Sequence, residues 1–145
     1  MWVFLFILSI FIFVRHIIRE QLLLEKKIAE LRANLTISFD LRHDVSGHSE
    51  KRKWRHVGQD SGRKIYDYDI LRLIEAAKDD IVFNIINDQI LDGVRFIVSQ
   101  ATSPYLNVVI EPRVKNPYNW DLVVITQMDK EDFAVGRDQL QIFVK

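Results

Sequence analysis

The chain of 145 residues carries 20 basic and 20 acidic side chains and no cysteine. Without cysteine it has no disulfide framework, no thiolate metal site and no cysteine nucleophile. Its zero formal net charge argues against a general nucleic-acid-binding surface, and its length suits one small domain plus an accessory segment.

The chain opens MWVFLFILSIFIFVRHIIRE. Apolar or small residues run unbroken from Trp2 to Val14. Trp2, Phe4, Phe6, Phe11 and Phe13 are spread around the helix, so no polar stripe marks a core helix of a soluble domain. A cleaved signal needs a basic start and a small-residue cleavage site. No Lys or Arg precedes the run, and the bulky, charged Arg-His-Ile-Ile-Arg-Glu follows it. Arg15 can snorkel to the headgroups, and Ile17 and Ile18 extend the apolar length to about 18 residues. Residues 1–18 are therefore expected to be a membrane anchor, with the lipid bilayer as partner. Arg15, Arg19, Lys26, Lys27 and Arg32 all follow it, which places the remaining chain in the cytosol or nucleoplasm by the positive-inside rule. The sequon Asn34-Leu35-Thr36 points to the other side.

Residues 19–34 continue the helix as a stalk. Leu24, Ile28, Leu31 and Leu35 recur at a 4-3-4 spacing, which makes one apolar stripe. The stripe is too short for an isolated coiled coil. It either packs on its own domain or pairs with a partner subunit. Next, Leu35, Ile37, Phe39 and Leu41 alternate with Thr36, Ser38, Asp40 and Arg42, the pattern of a half-buried strand. A polar stretch from His43 to Gly62 follows; its residues 51–56 and the following residues 64–68 are the expected arms of an irregular hairpin.

Asp69 is a candidate N-cap for a helix whose apolar face is Ile70, Leu71, Leu73, Ile74 and Ala77. Asp79-Asp80 caps a second helix, or the first runs on. Ile81, Ile85, Ile86, Ile90, Val94 and Ile97 keep the helical spacing, Gly93 weakens it slightly, and the helix is expected to last until Ala101–Pro104. The final third reads as β: strands over 105–111 and 120–128 around a turn bracketed by Pro112 and Pro117, a charged turn or helical loop over 129–137, and a last strand over 140–144. The expected class for residues 35–145 is α+β, with helices packed on one face of a small antiparallel sheet.

Chemical motifs are sparse. There is no nucleophile elbow, phosphate-binding loop or dinucleotide fingerprint. His43, His48 and His56 share one polar loop, which suits a solvated loop better than a rigid ligand set. Lys51, Arg52, Lys53 and Arg55 form a basic patch. Residues 42–64 hold seven Lys and Arg against three Asp and Glu. Anionic lipid, a nuclear-import-like patch or an ordinary loop edge each account for it. Asp88 and Asp92 sit at i,i+4, as surface charges of a helix. Tyr118 and Trp120, beside two prolines, either anchor a partner or lock their own hairpin.

The anchor followed closely by Arg15, His16 and Arg19 resembles the sorting signal of baculoviral occlusion-derived envelope proteins. Together with the stretches YDYDILRLIEAAKDDIVFNIIN and IEPRVKNPYNWDLVV, the layout resembles the short per os infectivity factors of those viruses. The resemblance implies a component of the virion envelope complex needed for oral infection of insect midgut cells. It also implies sorting through the host inner nuclear membrane, assembly with other anchored proteins and no enzyme activity.

The chain is thus expected to be a non-enzymatic, single-pass interaction subunit without cofactor, metal, small-molecule substrate or nucleic acid. Its membrane-protein partners are expected to contact Leu24, Ile28, Leu31, Tyr118 and Trp120. A subunit of a bacterial inner-membrane secretion or division machine is the second class, and a membrane-bound enzyme with an unrecognised site the third.

Overall fold

The computed structural model describes residues 1–39, 65–102, 105–128, 136 and 138–145. The expected hairpin arm over 51–56, the three loop histidines, the basic patch Lys51, Arg52, Lys53 and Arg55, and almost all of the 129–137 turn lie outside the described residues.

A single helix, α1, runs from Trp2 to Ala33 with no break at residue 18. Neither glycine nor proline interrupts it, and leucine, isoleucine, lysine and glutamate carry it forward. Its chain leaves through Asn34 into strand β1, Thr36–Phe39. Leu31 in the last turn of α1 and Leu35 just beyond its end are both buried in the domain core. Burying a leucine fully contributes about 1.5–3 kcal/mol, so this turn fastens α1 to the domain. Arg32 adds an ion pair with Asp79.

Helices α2, Asp67–Ala76, and α3, Lys78–Ile86, meet at the buried Ala77. Tyr66, not Asp69, is the N-cap of α2; Asp69 is its third helical residue, and its Oδ2 accepts the Tyr66 amide at 2.9 Å. Asp67 and Tyr68 are helical, so the expected second hairpin arm over 64–68 does not form there. Asp79 and Asp80 lie in the first turn of α3, where acidic side chains favour the positive helix end.

The helix does not run to residue 100, as the spacing of isoleucines suggests. Asp88 turns left-handed at φ 55°. The Gln89 amide then bonds to Asn84 O at 2.8 Å and the Asp88 amide to Ile85 O at 3.2 Å, which are the two bonds of a Schellman stop. A turn at Asp92-Gly93 follows, with Gly93 at φ 71° and Val94 N–H on Leu91 O at 3.1 Å. Asp88 and Asp92 therefore do not share a helix face. Phe96–Gln100 then forms β2, where Ile97 and Val98 supply β-branched side chains.

Strands β3, Leu106–Asn116, and β4, Asn119–Met128, form a hairpin whose tip is Pro117-Tyr118. Pro112 lies inside β3 rather than at the turn. Pairing with β2 ends at Ile110, so its missing N–H faces no ladder partner, while its carbonyl accepts Gly93 N–H at 2.8 Å. Strand β5 is Gln141–Val144.

The five strands lie in the order β1-β4-β3-β2-β5. The α+β class holds, but the sheet is mixed rather than antiparallel. β3 runs against both neighbours, whereas the edge strands β1 and β5 run parallel to β4 and β2. Parallel pairs need long connections, and both have them here: residues 40–118 separate β1 from β4, and residues 101–140 separate β2 from β5.

The helices cover one face through Phe96, Val98, Leu106, Val108, Ile110, Leu122 and Val124. Ile97, Ser99, Asn107, Val109 and Val123 on the other face are buried as well. There Ser99 Oγ donates to Asn107 Oδ1 at 2.7 Å and accepts from Gln141 Nε2 at 2.8 Å, which satisfies the polar atoms that the burial strips of water.

Candidate functional site

The apolar half of α1 is the first element with no packing role. Every residue from Met1 to Ala29 is exposed. Trp2, Phe4, Phe6 and Phe11 project from different sides, and Ser9 satisfies its hydroxyl on Phe6 O at 2.7 Å instead of forming a polar stripe. The helix is long and apolar enough to cross a membrane. Arg15, His16 and Arg19 follow on its exposed surface.

The stripe expected on the stalk divides. Leu24 is 46% exposed and Ile28 39%, whereas Leu31 is 0% exposed. Leu31 therefore contacts its own domain and is not presented to a partner. α1 meets α3, and among the described residues Leu31 is the one residue of α1 that the domain core takes up.

Tyr118 and Trp120 also separate. Trp120 is half-buried against the domain core, and its indole N–H reaches Pro117 O at 3.4 Å, so it packs its own hairpin. On β1, Thr36 Oγ1 and Ser38 Oγ donate to the two oxygens of Asp121 at 3.1 and 2.8 Å. These bonds hold β4 beside the strand that leaves α1. Tyr118, at the tip, remains 41% exposed. The tip is tightened by the Tyr118 amide on Asn116 Oδ1 at 3.0 Å.

The structure joins two elements that the sequence left apart. Tyr118 lines one groove with Glu20, Leu23, Leu24, Lys26, Lys27 and Glu30 of α1. Glu20, Leu23, Leu24 and Lys27 fall at i, i+3, i+4 and i+7, a single helix face directed at the hairpin. Sequence inspection finds the tyrosine and the leucines separately; only the parallel β1–β4 pairing brings them together.

Other groups do different work. Arg95 pairs with Glu111 at 3.2 Å, not with Asp92, and Arg113 shares that carboxylate at 3.4 Å. Lys78 pairs with Glu75 at 3.5 Å. Among the described residues no group of three His, Cys, Asp or Glu side chains converges as metal ligands. A second cavity between α2 and the sheet is lined by Arg72, Leu73, Gln100, Leu106 and Val144, among others. Tyr66 and Tyr68, a pair that no motif singles out, stack at 5.5 Å on the exposed start of α2.

No family model, no curated protein and no solved structure matches the chain.

Proposed function

We propose that the chain is a non-enzymatic, membrane-anchored interaction subunit. The first half of α1 sits in the bilayer, and the α+β domain is carried at a set distance from it. One observation supports this most directly: among the described residues the domain core takes up only Leu31 of α1, and Trp2 to Val14 are left as an exposed apolar surface. Such a surface is stable in lipid and unstable in water. The exposed Leu24 and Ile28 are then available to a neighbouring helix at the membrane surface.

The resemblance to per os infectivity factors makes the complex a viral envelope entry complex. Arg15, His16 and Arg19 then belong to a signal that routes the chain through the host nuclear membrane to the virion. The test is purification of the full chain from infected or expressing cells in mild detergent, followed by mass spectrometry. Recovery of other anchored envelope proteins is expected, with less recovered from Leu24→Asp and Ile28→Asp variants. A monodisperse monomer without partners overturns the proposal.

A further inference from the structure

We propose that the tip of the β3–β4 hairpin is a second membrane contact, with Tyr118 seated in the phospholipid headgroup layer beside the anchor. The inference rests on the membrane-anchor reading above and adds to it a fixed posture of the domain on the bilayer.

The geometry follows from the continuity of α1. The anchor ends at Ile18, because the charged Arg19 and Glu20 follow; about 17 residues at 1.5 Å each give about 26 Å, close to the roughly 30 Å hydrocarbon core. The headgroup layer, roughly 5–7 Å deep, then spans Arg19 to about Leu23. Tyr118 shares its groove with Glu20 and Leu23 at that level and with Leu24, Lys26, Lys27 and Glu30 beyond it. Strand direction explains how it gets there. β4 runs parallel to β1 with Thr36 opposite Asp121, so the residues before Asp121 extend past the start of β1 and back along α1.

The chemistry fits the same place. Tyrosine combines an apolar ring with a polar hydroxyl and concentrates at membrane interfaces. The arm leading to the tip reads Pro-Arg-Val-Lys-Asn-Pro, with Arg113 and Lys115 exposed and no acidic residue from Pro112 to Trp120. The facing side of the groove is charge-balanced, with Lys26 and Lys27 beside Glu20 and Glu30 and Lys26 within 3.8 Å of Glu30, so the basic excess lies on the hairpin arm. Basic side chains at this height are attracted to anionic headgroups. The occupant is therefore the headgroup layer, continuous with the lipid around the anchor.

Because the chain has no cysteine, single-cysteine variants can be labelled at one site each. Phe6→Cys, Tyr118→Cys and Phe143→Cys replace exposed side chains of the anchor, the hairpin tip and the far edge strand. Each full-length variant carries one fluorophore in nanodiscs of phosphatidylcholine and phosphatidylserine, with nitroxide lipids placed deep or at the headgroup. Deep nitroxide is expected to quench the label at residue 6. Headgroup nitroxide is expected to quench the label at 118 several-fold more than that at 143. Quenching at 118 by aqueous quencher alone, with residue 6 still quenched from the deep position, overturns the lipid contact, keeps the anchor and leaves the groove to a protein partner. Aqueous quenching at residue 6 overturns the anchor, and the proposal with it. Equal headgroup quenching at 118 and 143 overturns the fixed posture.

Discussion

Asp92 Oδ1 accepts the backbone amide of Val114 at 2.9 Å, joining the turn before β2 to the outer half of β3. The adjoining Gly93 bond to Pro112 O makes this a two-point clamp. It sits where apolar spacing alone would have continued the helix. Asp92→Ala is expected to lower unfolding free energy by about 1–2 kcal/mol, the worth of an exposed hydrogen bond to a charged acceptor. Gly93→Ala meets no atom within 4 Å, so its cost is the left-handed backbone alone, about 1 kcal/mol. Urea unfolding of the chain in mild detergent measures both, and an unchanged midpoint for Gly93→Ala would contradict the turn.

Leu31 and Leu24 lie on the same helix two turns apart in opposite environments. Leu31→Ala is expected to cost about 2–5 kcal/mol because it empties a core site. Leu24→Ala and Ile28→Ala are expected to change stability by less than about 0.5 kcal/mol. The same denaturation series tests the contrast; equal losses at Leu24 and Leu31 would mean that the stalk packs on its domain along its whole length.

Gln127 is fully buried, on the sheet face it shares with Val108, and neither of its side-chain polar atoms finds a hydrogen-bond partner among the described residues. Replacing an unpaired buried amide with an apolar side chain of similar length removes a desolvation cost. Gln127→Met is expected to stabilise the domain by about 1–2 kcal/mol. Calorimetry of the solubilised protein reads the shift in Tm. A clear drop would show that the amide has a partner.

A variant lacking residues 2–18 keeps Arg19 to Ala33, and with it the Leu31 contact and the Arg32–Asp79 ion pair. It is expected to fold and to remain in the soluble fraction on liposome flotation, while the full chain floats and resists alkaline extraction. The hairpin tip is too small a contact to hold the domain on lipid by itself, since even one acyl chain gives only marginal binding. Flotation of the shortened chain would relocate the main membrane contact to the domain.

Much of this organisation is legible in local pattern. The unbroken run Trp2–Val14 specifies an apolar helix, the alternation through Leu35–Phe39 specifies β1, and YLNVVIE and WDLVVITQM specify two strands of a hairpin, because side-chain periodicity records which faces are buried, whereas the continuation of β3 through Pro112 to Asn116 reads locally as turn. Local pattern misled at residues 87–100. Ile90, Val94 and Ile97 keep helical spacing, yet Asp88 enters the left-handed region without a glycine to announce it.

Sequence by itself determined the apolar helix, its basic flank and the α+β character of the rest, since each depends on neighbours within a few positions. Tertiary structure alone decided which part of the stalk stripe is buried, that the edge strands run parallel, and that Tyr118 returns to the side of α1. Those outcomes depend on pairings such as Thr36 with Asp121, 85 residues apart. Long-range pairing is selected by the packing energy of the whole sheet, and no short window of residues encodes it.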